Sequence, residues 1–280
     1  MRIRIRHETH YTFDPPAKST VQTLRMTPRN HEGQHIIGWR MDVDADCLLR
    51  ASEDSFGNIG HSFSVEGPLT ELTIIAEGDV ETSDNAGVVR GGVERFPIQV
   101  YLRDTDLTLA GTDLRNFATD AARGNEGTLD TLHRLMTAVH ETIKVDHSAK
   151  RYELVAANEI LGRKSAAAAD IGHVFVASAR FLGIASRIVE GYYLPLPGEE
   201  GEPGGHSWAE AFVEGLGWIG FDAAHDVCPQ ENHIRVAMGL DRLGAAPARA
   251  ARLGGDGTNV EVRIDLTPRG VQTSQRQSQS

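Results

Sequence analysis

The segment Arg2-Ile3-Arg4-Ile5-Arg6 alternates a charged and a branched apolar side chain with period two. Such a run places Ile3 and Ile5 on one face of a strand and the arginines on the other. A helix would scatter those isoleucines around its axis, so the chain must open in β-structure. Further strand patterns run over residues 21–26, 36–43, 59–65 and 72–80. Asp14-Pro15-Pro16, Pro28-Arg29-Asn30, Phe56-Gly57-Asn58 and Glu66-Gly67-Pro68 carry turn chemistry between them. Short strands at this spacing predict an antiparallel β-sandwich over residues 1–97.

From about residue 98 the period changes. Leu129, Leu132, Leu135/Met136 and Val139 recur at three- and four-residue steps behind Thr128, a pattern that predicts a helix with Thr128 as its cap. Val174, Ala177, Ser178 and Phe181 predict a second helix over about 170–182, stopped by Gly183. Strands are expected at 186–193, 207–213 and 217–222, and an alternating one at 260–266. The Pro/Gly/Glu-rich stretch 195–205, with Glu199, Glu200 and Glu202, reads as a solvated loop. Gly254-Gly255-Asp256-Gly257 precedes a strand and reads as a turn, not a phosphate loop. The organisation is therefore α+β: a β-sandwich over 1–97, a mixed domain over 98–267 and a polar tail, expected disordered, over 268–280.

Charge narrows the partners. With 28 Lys plus Arg against 39 Asp plus Glu, the net charge is −11 across 280 residues, so neither a nucleic-acid nor an anionic membrane partner is expected. The two cysteines, Cys47 and Cys228, exclude a disulfide scaffold or a cysteine-rich metal cluster. No apolar run reaches the ~18 residues of a membrane span. The opening residues lack the apolar core of a signal peptide, so a cytoplasmic location is expected.

Three stretches gather residues that nucleophilic amide chemistry needs. They are Lys164-Ser165-Ala166-Ala167-Ala168-Ala169-Asp170-Ile171-Gly172-His173, His206-Ser207-Trp208-Ala209-Glu210 and Gly217-Trp218-Ile219-Gly220-Phe221-Asp222. If the last two form an antiparallel pair, His206 and Asp222 lie side by side. An aspartate beside an imidazole fixes its tautomer and stabilises the imidazolium. His225, Asp226 and His233 follow, but without two histidines paired on one helix or strand, so no metal site is expected from their spacing.

These motifs resemble the bacterial transglutaminase-like superfamily, relatives of papain-like cysteine proteases. Its core carries Gly-Val-Cys-x-Asp-x-x-His, His-x-Trp-x-Glu and Gly-Trp-x-x-x-Asp. The second and third are intact here. The first keeps Asp170 and His173, has Ala166-Ala167 for Gly-Val, and has Ala168 at the nucleophile position. Arg25-Met26-Thr27-Pro28-Arg29 and Asp54-Ser55-Phe56-Gly57-Asn58 resemble the β-rich domain that precedes this core. The resemblance implies a papain-like/transglutaminase-like core and a Cys-His-Asp triad reduced to His206 and Asp222. Trp208 is then a candidate wall of a substrate groove.

A methyl group forms no acyl intermediate, so the first reading is a pseudoenzyme that binds a peptide or protein ligand without cleaving it. The second is an active cysteine amidase, peptidase or acyl transferase carrying a nucleophile-to-alanine change. Loss of the neighbouring Gly-Val favours the first. A third reading gives the role to Ser165, nearly a helical turn away. His173, one turn into an apolar helix, reads as a core histidine, Trp208 and Trp218 most simply as strand core, and Glu210 as a structural hydrogen-bond partner. No cofactor is implied, and the oligomeric state stays open.

Overall fold

The computed structural model describes residues 1–124, 127–149, 154–199 and 201–269. Two antiparallel sheets dominate. The first has six strands: β1 (Arg2–Thr27), β2 (Gln34–Val43), β3 (Arg50–Glu53), β4 (Ile59–Thr82), β12 (Ala248–Gly254) and β13 (Gly257–Arg269). The second has five, in the order β11 (His233–Gly239), β8 (Ser186–Tyr193), β9 (Gly204–Val213), β10 (Gly217–Phe221) and β5 (Val88–Val89). A parallel two-residue ladder joins β6 (Lys144–Val145) to β7 (Ser165–Ala166).

The alternation at the start is realised in full. Ile3 and Ile5 are buried, while Arg4 and Arg6 pair with Asp79 and Glu77 on the neighbouring strand. The strand does not end at Asp14-Pro15-Pro16, nor β4 at Gly67-Pro68. Both run through these points, and the β1–β4 register shifts between Thr12 and Ala17. Proline removes a ladder hydrogen bond without forcing the chain to reverse, so the expected turns are irregularities inside two long strands. Both arms of each strand then share one core. Tyr11, Phe13 and Leu72 pack in the same cluster as Leu24, Met26 and Phe63. A sandwich-like core thus forms from one continuous sheet.

The helices are α1 (Thr112–Ala121), α2 (Thr128–Thr142), α3 (Ala157–Arg163), α4 (Ala168–Phe181) and the single turn α5 (Arg242–Ala245). In α2, Leu132, Leu135, Met136 and Val139 are buried as the spacing predicts. Thr128 is the first helical residue, however, and Gly127 takes the cap position without a side-chain hydrogen bond. Helix α4 is buried almost throughout and packs on β8 and β9. Gly183 follows it with φ of +80°, the left-handed stop expected of glycine. No helix among the described residues is long and apolar enough to cross a membrane.

Linear boundaries at 97 and 267 do not match the sheets. β5 joins the second sheet from residues 88–89, and β12 and β13 return to flank β1. Pro268 and Arg269, assigned to the polar tail from sequence, pair with Ile3 and Arg2 in β13; the remaining tail, 270–280, lies outside the described residues, as does Glu200.

Two side-chain amides fasten the sheets together. Gln34 donates to the Arg235 carbonyl and accepts from its N–H, both at 2.8 Å. Asn58 treats Met238 the same way, again at 2.8 Å each. Each amide imitates a β-ladder partner and satisfies the otherwise open edge of β11. The Asp54–Asn58 motif has this structural purpose. Asp54 accepts from the Phe56 and Asn58 N–H groups and from Arg25, and so aims Asn58 at β11.

Candidate active site

A tight hairpin creates the central pair. The β9–β10 register runs from Val213↔Gly217 to Ala209↔Phe221, and its turn uses Gly215 and Gly217 at φ of +82° and +90°, which glycine adopts without strain. Asp222 leaves β10 and is pinned by a backbone bridge to Val227. Its Oδ2 lies 2.7 Å from His206 Nε2, and both side chains are buried. The expected pair is formed.

Two more imidazoles reach the same oxygen. His225 Nδ1 is 2.8 Å and His233 Nε2 3.2 Å from Asp222 Oδ2. Burial alone would raise the Asp222 carboxyl; the His206 charge and hydrogen bonds from all three histidines outweigh it and hold the group well below the usual range. Tyr193 packs across the cluster, stacking on His225 at 4.4 Å between centroids and 28° between planes. Asp226 is not part of this group and accepts from Thr137 instead. The sequence placed these histidines in one short stretch but gave no sign that a loop and a strand would converge on one carboxylate.

Contacts along α4 set the position of Ala168. Arg180, near the end of the helix, donates to the Ser186 carbonyl, and Ser186 pairs with Ala211. Gly172 sits against Trp208 and Ala209. The helix therefore runs parallel to β9. Ala168, its first residue and one turn before Gly172, is aligned with the His206 end of the strand. A pocket of about 120 Å³ opens at this terminus, lined in part by Ser165, Ala166, Ala167 and Asp170. Ser165 lies in β7 and, among the described residues, makes no hydrogen bond to His206.

The other motif residues are structural. His173 Nδ1 lies 2.9 Å from the Val155 carbonyl, and Nε2 accepts from the Arg242 N–H at 3.2 Å. Those partners define an Nδ1–H tautomer, and burial lowers the pKa of the ring. Asp170 accepts from Arg242 Nη1 at 2.6 Å, while Arg242 Nε donates to Glu190 at 2.8 Å. Glu190 in turn accepts from Ser207, the residue after His206. Arg242 had no sequence signal: it lies far along the chain on a single helical turn.

Glu210 is fully buried between Arg187 and Arg235. Burial opposes its ionisation, but the two guanidiniums prevail and bring its pKa down to about 2. Arg187 also stacks on Trp218, 3.7 Å from the ring centroid, so Trp218 is core, as expected. Trp208 takes the simpler of its two sequence readings, strand core. It is 3% exposed, with Cη2 facing Gly191, so it forms the floor beneath the histidines and not the wall of an open groove. Gly191 carries no side chain that could displace it.

The comparisons with known proteins agree with this architecture. The bacterial transglutaminase-like N-terminal region matches residues 3–81, and the transglutaminase-like superfamily core matches residues 115–223. The chain belongs to the bacterial transglutaminase-like superfamily. Similar chains include an uncharacterized protein of Mycobacterium leprae, 25% identical over 284 residues, which cover 95% of this chain and 98% of that one. Another is an uncharacterized protein of Mycobacterium tuberculosis (strain H37Rv), 23% identical over 292 residues, with 95% and 93% covered. Among solved structures, a cysteine-protease candidate from Cytophaga hutchinsonii superposes with a TM-score of 0.76 at 18% identity, covering 95% of this chain and 90% of that one. That likeness is one of fold. Within this core His206 and Asp222 are in contact, and α4 opens on Ala168.

Proposed function

We propose that this chain is a transglutaminase-like pseudoenzyme, a scaffold for acyl transfer that performs no thiol chemistry and binds a peptide or carboxylate-bearing ligand. The observation that carries the reading is Ala168 at the first position of α4, aligned with an intact His206–Asp222 pair at 2.7 Å. A methyl carbon has no lone pair with which to attack a carbonyl, so the base has nothing to activate. The helix terminus keeps its open N–H groups and positive dipole end, which favour a carbonyl or carboxylate.

The test has two arms. Assayed for hydrolysis of peptide amides and for amine incorporation, the protein shows no turnover, and a thiol alkylator changes nothing. Turnover abolished by the alkylator would overturn the reading and direct attention to Cys228, whose Sγ lies 3.6 Å from His133 Nε2. In calorimetric titrations with a peptide library, binding weakens in His206→Ala. It is unchanged in Arg263→Ala, whose exposed side chain pairs with Asp265. No binding, or binding indifferent to His206, leaves the His206–Asp222 pair and the helix end a structural role alone.

A further inference from the structure

Beyond that reading, we propose that His206, Asp222 and His225 form a binding site for a divalent transition-metal cation of the zinc type. Their ligand atoms all lie within 4.8 Å of one another. His206 Nε2 and His225 Nδ1 stand 2.7 and 2.8 Å from Asp222 Oδ2. Two imidazole nitrogens and one carboxylate oxygen are a donor set that zinc takes with tetrahedral geometry, leaving a fourth position for one further donor.

His233 supplies an independent argument. Its Nδ1 lies 2.8 Å from Asn232 Oδ1. That amide's orientation is fixed, because its Nδ2 donates to Glu199 at 2.8 Å. With the ring hydrogen on Nε2, His233 serves Asp222 Oδ2 and accepts from the Gln230 N–H at 3.3 Å, but its Nδ1 lone pair then faces Asn232 Oδ1. With the hydrogen on Nδ1, His233 serves Asn232 and its Nε2 lone pair faces Asp222 Oδ2 at 3.2 Å, so either tautomer leaves one acceptor against another on a side chain only 2% exposed. The oxygen has two lone pairs for three imidazoles. A cation at this point resolves the conflict, with His233 on hand as its fourth donor. The motif aspartate would thus serve as a metal ligand where the superfamily motif uses it to orient a base. Nothing in the proposal needs the missing thiol, so its failure would leave the pseudoenzyme reading standing.

Zinc chloride alone is the probe. Chelator-stripped full-length protein, titrated by calorimetry and assayed for retained metal after desalting, takes up one zinc per chain. His225→Gln and Asp222→Asn each weaken binding at least ~100-fold, while His35→Gln, in β2 of the other sheet, binds as the parent does. Stoichiometric binding that is unaltered in His225→Gln, or no binding to the folded parent, would overturn the proposal. Because Asp222 variants risk misfolding, cobalt substitution of the unmodified protein gives a second reading. Tetrahedral visible bands without a thiolate charge-transfer band are expected; a thiolate band would place the metal on Cys228 and reject the site.

Discussion

Arg242 Nη1 lies 2.6 Å from Asp170 Oδ1 across 72 residues of sequence, and through Nε the same guanidinium holds Glu190. One cation thus ties the first turn of α4 to the inner strand β8, next to the His206 end of β9. The position of the helix terminus relative to the histidine depends on this buried three-way contact. Arg242→Met removes the cation and leaves two carboxylates in a buried site, which costs roughly 3–5 kcal/mol. Urea unfolding would read it. Arg242→Lys recovers only part of the loss, because one ammonium cannot serve both carboxylates as a fork does.

Gly191 on β8 is required by its neighbours. A Cβ there would stand 2.0 Å from the Ile234 carbonyl oxygen and 2.9 Å from Trp208 Cη2. The first of these is backbone in a paired strand and has no room to yield. Gly191→Ala therefore destabilises by about 3 kcal/mol or more, the upper end of overpacking. A melting temperature equal to the parent's would contradict the placement of Trp208 beneath the histidines.

Stability should fall in acid in two stages. Burial pulls the pKa of His31 down to about 4, and nearby Arg235 adds to the effect. The unfolded chain takes up the proton near pH 6.5, so it binds more protons than the fold between about 6.5 and 4. Folding free energy is lost as pH falls through that window, about 2 kcal/mol from this residue by pH 5. Glu210, depressed to about 2, contributes stability that is full above about 4.5 and is lost on descending towards 2. In chemical unfolding at stepped pH, His31→Asn flattens the upper stage alone, since its Oδ1 can still accept from the Gly33 N–H that His31 Nδ1 receives.

The hairpin explains why part of the site was legible in sequence. His206 and Asp222 flank a short turn, so local register alone brings them together, and motif order supplied the rest. His225 and His233 were visible as residues but not as partners, because the bend after Asp222 and the pairing of β11 with β8 are non-local. Arg242 was invisible for the same reason. In the first sheet, period two was legible wherever one face is buried, as at Ile3 and Ile5. The prolines misled because they were read as chain reversals, whereas tertiary pairing to β4 and β13 carries β1 past them. Trp208 shows a further limit: the sequence marks an aromatic in a strand but does not say which side of the sheet lies open.

The last prediction tests whether the site around the methyl group is still built for a thiol. Cys47 and Cys228 both have raised thiol pKa values, chiefly through burial, with Asp46 and Asp226 adding to it; they should react slowly. In Ala168→Cys the new sulfur would lie at the first position of α4, where the helix dipole favours a thiolate, and on the side of the helix end aligned with His206. Iodoacetamide labelling resolved by mass spectrometry, in chelator so that His206 is free of metal, should give position 168 an apparent pKa below the ordinary ~8.5. Its rate near neutral pH should exceed that of either native cysteine by about tenfold or more. Adding His206→Ala should return the apparent pKa towards 8.5. A thiol at 168 that titrates at 8.5 or above with His206 present would mean that the helix end and the imidazole no longer face one another. The alignment inferred from Gly172, Trp208 and Arg180 would then be wrong.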